Sequence, residues 1–351
     1  MRAFVIDGPH RSSVQDVAPP RAEAGQVVVD VARVGLCGTD AEFFSGEMAY
    51  LREGSARYPI RIGHEWCGTV SAAGPGVDPS WLGRRVTGDT MIGCGTCPRC
   101  RDGRHHVCAD RLEIGIRGGS PGALAERLLV PAIALHGLPG SVDDQAGALV
   151  EPGANALRAV RAAELGLGDR LLVLGTGTIG LLAGMFARER GAEVHLAGRS
   201  AHSLAFARTL GFHDAWAIDA IPGLAWDAVI DASNAELLPA LALELVEPGK
   251  RIVFIGLAGI SSSIDTRTQV LKDVTAVGIL GGSAGLAETI ELYAAGTVDP
   301  RPLVAATVAL ERAGDVLAGW RPESAGPGPK IHVDPRQSRP SSADQLGAGE
   351  V

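Results

Sequence analysis

The sequence has no uninterrupted apolar stretch of 18 residues, so no segment is long enough to cross a bilayer as a helix. It has no excess of positive charge. The formal net charge is -8, which argues against a nucleic-acid or anionic-membrane surface, since both require a basic face. No internal repeat is visible. The first residues, Met1-Arg2-Ala3-Phe4-Val5-Ile6-Asp7, read as a β-strand and lack the long apolar stretch of a secretion signal. A cytosolic, reducing compartment is the expectation. Cysteine is missing from the whole chain beyond Cys108, and all six cysteines lie between Cys37 and Cys108. In a reducing compartment such clustering reads as metal or catalytic chemistry before disulfides.

What is present makes a two-domain globular protein. The chain has 351 residues, 46% apolar and 21% charged, too long for one small core and apolar enough to build two. The first 150 residues carry short β-branched runs such as Val27-Val28-Val29 between turns rich in Gly and Pro, the texture of an irregular, partly barrel-like β domain. From about Pro152 the texture changes. Apolar strands at 171–174, 193–197, 228–230, 251–255 and 273–279 alternate with helical patterns at 178–189, 202–210 and 235–245, the signature of βαβ units on a parallel sheet. One more helix is expected at 288–295. The pattern then returns to short strands from Leu303 to Val333, so the C-terminal segment is expected to rejoin the first domain. The expected division is 1–152 with 286–335, 153–285, and a small polar tail at 336–351 that is expected to be disordered.

Cys94-x2-Cys97-x2-Cys100-x7-Cys108 is the strongest single signal. Four thiolates about 2.3 Å from one Zn²⁺ close a tetrahedron with no open position, so this site would staple a loop and do no chemistry. Arg99, Arg101, Arg104 and Arg111 lie in or beside it and could offset its excess negative charge.

A second set is scattered: Cys37-Gly38-Thr39-Asp40, Gly63-His64-Glu65 and Glu151-Pro152. A catalytic zinc takes about three protein ligands and keeps one position open. Cys37 and His64 offer a thiolate and an imidazole, and either Glu65 or Glu151 a carboxylate. One thiolate and one carboxylate leave the metal electrically balanced yet acidic enough to lower the pKa of an alcohol. Glu151 has a plainer reading as an acidic residue at a helix start ahead of Pro152. Cys67 reads as a packed core thiol.

Gly175-Thr176-Gly177-Thr178-Ile179-Gly180 follows the expected strand 171–174 and opens a helix, the context that gives a glycine fingerprint meaning. Gly175 permits the tight turn, Gly177 lets the backbone approach a pyrophosphate, and Gly180 lets helix and strand pack closely. With Thr178 and Ile179 they form the helix N-terminus on which the pyrophosphate rests. The next strand ends in Gly198-Arg199-Ser200. An acid there would bond both ribose hydroxyls of NAD. Glycine removes the repulsion against a 2′-phosphate, while Arg199 and Ser200 supply partners for it. NADP(H) is expected over NAD(H), and Gly198→Asp with Arg199→Leu is expected to reverse the order.

In this order, these motifs resemble the zinc-dependent medium-chain dehydrogenases from the N-terminus to about Asp334. They look closest to the polyol branch of sorbitol, threonine and glucose dehydrogenases, which carry Glu-Pro where simple alcohol dehydrogenases have a third cysteine. The resemblance implies an α/β fold: a GroES-like β-rich catalytic domain plus a Rossmann domain with a doubly wound parallel sheet. It also implies two Zn²⁺ per subunit and a homodimer or homotetramer. Cys37, His64 and one of Glu65 or Glu151 would hold the catalytic zinc. Thr39 would relay the substrate proton, and Asp40 would orient the His64 ring. Many relatives have a proton-passing histidine where this chain has Glu42. Glu42 could replace it as a weaker base at neutral pH. Thr90 would line the pocket. The activity implied is reversible oxidation of a secondary alcohol in a sugar, cyclitol or polyol. NAD-dependent or simple-alcohol turnover is the alternative, and a non-catalytic dinucleotide-binding protein the alternative of another class.

Overall fold

A computed structural model describes residues 1–337. Its centre is a six-stranded, all-parallel sheet. In spatial order the strands are Ala215–Ala217, Glu193–Gly198, Arg170–Leu174, Trp226–Asp231, Val246–Phe254 and Thr275–Gly278. The first strand in sequence, Arg170–Leu174, is central. The chain winds outward from it to one side and then to the other, so the order reverses between it and Trp226–Asp231, the point at which open α/β sheets bind ligands. Strand side chains alternate between faces. Leu171, Val173, Ala228 and Ile230 therefore pack with helices Val150–Ala162 and Thr178–Glu189. Leu172, Leu174 and Val229 pack with helix Leu238–Leu245 on the other face. Burial on both faces explains why these strands read as continuous apolar runs.

The second core is built from β-structure. Seven strands are ordered Val304–Ala309, Lys330–Asp334, Gln26–Gly35, Glu65–Ala73, Arg85–Gly88 and Leu135–Gly137, with Arg127–Pro131 also paired to Gln26–Gly35. The strand Lys330–Asp334 runs antiparallel to Gln26–Gly35, with His332 opposite Gly35. The C-terminal segment thus returns to the first β-structure. Trp66, Phe4, Phe43 and Ile62 are fully buried here; each contributes on the order of 1.5–3 kcal/mol by leaving water.

Helix Leu286–Ala295 joins the other core. Leu286, Ile290 and Tyr293 belong to the apolar cluster of the 150–162 and 178–189 helices, and the Tyr293 ring stacks on Phe186. The tail expected at 336–351 lies outside the described residues from 338 on. Arg336, within them, bonds Asp334 and pairs with Asp144. No helix among the described residues is long and apolar enough to span a membrane.

Candidate active site

Strand pairing assembles the scattered donors. Gly35 at the end of one strand faces Glu65 at the start of the next, which brings Cys37, two residues on, beside His64. Gly35 must be glycine, because a Cβ there would stand 2.1 Å from the Glu65 carboxylate. Cys37 precedes helix Gly38–Ser45, and its Sγ lies 3.3 Å from His64 Nε2. Donor atoms of Cys37, His64 and Glu65 all lie within 4.8 Å of one another. A tetrahedral ion with bonds near 2.3 and 2.0 Å separates sulfur and nitrogen ligands by ~3.5 Å, so the set fits zinc. Burial opposes a proton on His64, but the Cys37 sulfur and the Asp40 carboxylate outweigh it and raise the His64 pKa well above its usual range, while burial raises the Cys37 thiol in turn.

Asp40 does more than was expected of it, and by another route. Its Oδ1 stands 3.8 Å from His64 Nδ1, beyond hydrogen-bond reach. Its carboxylate instead accepts the backbone N–H of Cys37 at 3.0 Å and of Gly63 at 3.2 Å. The fully buried Asp40 therefore ties together the two backbone segments that present the ligands. Thr39 sits in the first turn of the same helix, two residues past Cys37. Glu42 is half-buried one turn further on; burial and Glu47 raise its pKa, while Arg52 opposes the rise.

The two carboxylate candidates differ in their restraints. Glu65 is clamped by Lys330, whose Nζ donates to both carboxylate oxygens, at 2.8 and 2.7 Å, and to the Leu36 carbonyl at 3.0 Å. Glu151 lies in the first turn of helix Val150–Ala162, and Asn155 Nδ2 donates to its Oε1 at 2.8 Å. Burial pushes the Glu151 carboxyl up to about 7. It is not in the mutually close set of Cys37, His64 and Glu65. The Thr90 hydroxyl, expected to face the pocket, donates to the His64 carbonyl at 3.3 Å; it supports the ligand loop. A cavity of about 270 Å³ reaches Cys37 past Ala41, Leu317 and Trp320.

The four-cysteine lobe is local and more exposed. Cys94, Cys97, Cys100 and Cys108 lie within 4.8 Å of one another and form no disulfide. The Cys94–Cys100 and Cys97–Cys108 sulfurs stand 4.0 and 3.7 Å apart, against ~3.8 Å for the edge of a zinc–thiolate tetrahedron. Arg111 is shared: its Nη1 donates to the Cys108 carbonyl of the lobe at 3.3 Å, its Nε to the buried Glu113 carboxylate at 2.8 Å and its Nη2 to Tyr50 at 3.2 Å. Cys67 is buried against the Asp144 carbonyl at 3.1 Å and takes no part in either metal set.

Sequence reasoning missed the residues that hold these groups: Lys330, Asn155, and Asp89. Asp89 is buried, accepts from Ser283 Oγ at 2.9 Å and pairs with His105 of the lobe at 2.7 Å. A charged residue inside a strand, as in Pro329-Lys330-Ile331-His332-Val333, is the signal that could have found the first.

Gly175 has φ +118°, a conformation L side chains avoid. A Cβ on Gly180 would lie 1.9 Å from the Gly175 carbonyl oxygen, whereas one on Gly177 would meet open space. Gly177 precedes helix Thr178–Glu189, and Gly198, Arg199 and Ser200 follow at the end of the adjacent strand.

Two family descriptions match: an alcohol dehydrogenase GroES-like domain over residues 23–140 and a zinc-binding dehydrogenase over 178–295. A 2-dehydro-3-deoxy-L-galactonate 5-dehydrogenase of Pseudoalteromonas atlantica is 32% identical over 306 residues, 84% of this chain and 88% of the relative. The chain belongs to the zinc-dependent medium-chain alcohol and polyol dehydrogenases. An L-threonine 3-dehydrogenase of Idiomarina loihiensis is 30% identical across 76% of this dehydrogenase and 80% of its own length. An alcohol dehydrogenase of Escherichia coli CFT073 solved with NADH superposes with a TM-score of 0.87 at 25% identity, over 95% of this chain and 99% of that one. A protein described as a zinc-binding dehydrogenase of Sinorhizobium meliloti 1021, solved with NADP, gives 0.84 at 28% identity, with the same coverage. This dehydrogenase is therefore an enzyme of alcohol oxidoreduction that uses a nicotinamide cofactor, and its fold is the GroES-like plus Rossmann pair that the motifs implied.

Proposed function

We propose that this enzyme reversibly oxidises a secondary alcohol of a sugar, cyclitol or polyol with NADP⁺. One observation carries the cofactor assignment. Where an acid would bond the ribose, the strand 193–198 ends in Gly198 and Arg199, and among the described residues Arg199 is exposed and makes no ion pair. A guanidinium with no internal partner is free to bond a 2′-phosphate. Support for the substrate class comes from a relative named for a deoxy sugar acid, 32% identical to this chain. Steady-state kinetics with both cofactors tests the first half, and a screen of sugars, cyclitols and polyols for NADPH formation tests the second. Preference for NAD(H), the cofactor form of the E. coli neighbour, would replace the reading.

Cys37, His64 and Glu65 would hold the catalytic zinc, with Glu151 as the reserve carboxylate. When bound, zinc supplies a Lewis acid that lowers the pKa of the substrate alcohol. The Thr39 hydroxyl takes the alcohol proton and passes it toward Glu42, whose raised pKa makes it a better acceptor than an ordinary carboxylate. Asp40 keeps the ligand-bearing backbones in register, and Lys330 prevents Glu65 from turning away. Cys94, Cys97, Cys100 and Cys108 would hold a second zinc of purely structural use. The zinc-holding unit comprises 1–152 and the return from about 296, one helix later than the sequence suggests, because helix 286–295 packs with the dinucleotide-binding unit. We expect a homodimer or homotetramer.

A further inference from the structure

The geometry points to Thr176 as a second determinant of cofactor choice: its side chain fills the space that any side chain at position 198 would need. This inference rests on the reading of Gly198-Arg199-Ser200 as a 2′-phosphate site. A Cβ on Gly198 would lie 2.4 Å from Thr176 Oγ1, 2.9 Å from its Cγ2 and 3.3 Å from its Cβ. The first two separations are below any real carbon contact.

Rotation of Thr176 does not relieve the clash. A threonine fills two of the three staggered positions about its Cα–Cβ bond. Both positions now filled are within 3.0 Å of the added Cβ. Every alternative rotamer leaves at least one of them occupied. The present rotamer is also fixed from outside. Ser203 Oγ donates to the Ser200 carbonyl at 2.9 Å, which uses its only proton, so Thr176 must be the donor in its 2.8 Å contact with Ser203 Oγ. Ser203 lies in the first turn of helix Ala201–Thr209, and Ser200 caps that helix by accepting the Ser203 N–H. A chain of hydroxyls thus runs from the glycine loop to the start of the next helix, and Gly198 lies beneath it.

The consequence is that charge and space are coupled at this position. An acid for the ribose of NAD cannot be installed at 198 while Thr176 stands. The simple exchange anticipated from the sequence is therefore blocked, and Thr176→Ala must accompany it. Alanine removes both γ atoms and leaves only the 3.3 Å Cβ contact, which a shift of a few tenths of an ångström relieves.

The test is a double-mutant cycle on the full, zinc-loaded enzyme with Arg199 unchanged throughout. Thermal midpoints and dissociation constants for NAD⁺ and NADP⁺ are measured for wild type, Thr176→Ala, Gly198→Asp and the double variant. Gly198→Asp alone is expected to lower the midpoint and weaken both cofactors at least tenfold. Adding Thr176→Ala is expected to restore the midpoint and recover NAD⁺ binding at least tenfold, with NADP⁺ still weak. A parallel cycle with Gly198→Ala isolates the steric part without charge, and it decides the matter if Gly198→Asp does not fold. Additive effects, or Gly198→Asp alone giving a stable NAD-preferring enzyme, would overturn the inference. A wild type that prefers NAD(H) would instead overturn the phosphate-site reading, while the midpoints would still report whether Thr176 and position 198 exclude each other.

Discussion

The two metal clusters are built in opposite ways. The four-cysteine lobe takes its donors from 15 consecutive residues, Cys94 to Cys108, and carries them on turns and a four-residue helix, with Cys94 exposed and Cys108 buried. The proposed catalytic cluster draws on residues 37, 64 and 65; strand pairing brings these and Lys330 together, while Asp40 comes on helix Gly38–Ser45 and Glu151 on helix Val150–Ala162, and all of them but Cys37 are buried. A local cluster depends on its metal for its shape, because little apolar packing holds it. The buried cluster is pre-shaped by the β core around it. Removing a ligand should therefore damage folding in the first case and chemistry in the second.

The largest effect expected is on turnover. Cys37→Ser should leave a folded protein that still binds dinucleotide, with activity at or below the detection limit; circular dichroism and cofactor titration check the first part and assay the second. A Cys37→Ser protein that unfolds would show that the buried cluster also depends on metal for shape. Next is Thr39→Val, which cuts only the proton path and should lower kcat by about 10²–10⁴-fold with zinc content unchanged. Near-normal kcat in this variant would remove Thr39 from the relay.

Stability should respond most to the ion pair behind the site. In the metal-free enzyme Lys330→Met leaves the Glu65 carboxylate buried without its partner, a change of about 3–5 kcal/mol. The pair Lys330→Met with Glu65→Gln should recover much of that, since removing both charges of a buried pair is close to neutral. Chemical denaturation of wild type and the two variants, all metal-free, measures it. No recovery would mean that Lys330 stabilises by packing alone.

The contrast also explains what the sequence could tell. The lobe was legible because its spacing carries the whole site, and the glycine loop because strand, turn and helix are contiguous in sequence. Cys37, His64 and Glu65 were legible as donor types, but the choice between Glu65 and Glu151 rests on contacts that no spacing encodes. Lys330 lies 265 residues from Glu65. Its role appears only when strand Lys330–Asp334 is laid against Gln26–Gly35. Asp40 was read from its place beside the His64 ring, from which it stands 3.8 Å; its bonds to the two backbone amides were not legible from the local motif. The helix at 286–295 was recognised as a helix. Its packing partner was not, because helical periodicity says which face is apolar and nothing about which core receives it.

A smaller, sharper effect concerns Glu42. A carboxylate with a raised pKa accepts a proton only above that pKa, so kcat should fall as pH drops through it. Glu42→His should move this limb toward the histidine range near 6.5, and Glu42→Gln should flatten it. An acid limb identical in all three enzymes would place Glu42 outside the proton path.

Metal analysis tests the division of labour most directly. Zinc per folded subunit is measured for wild type, Cys37→Ser and Cys94→Ser, alongside thermal midpoint and turnover. Two ions are expected in wild type. Cys37→Ser should retain one ion with a near-normal midpoint and no turnover, and Cys94→Ser should have a depressed midpoint and poor solubility. A single zinc in the folded wild-type subunit would contradict the account.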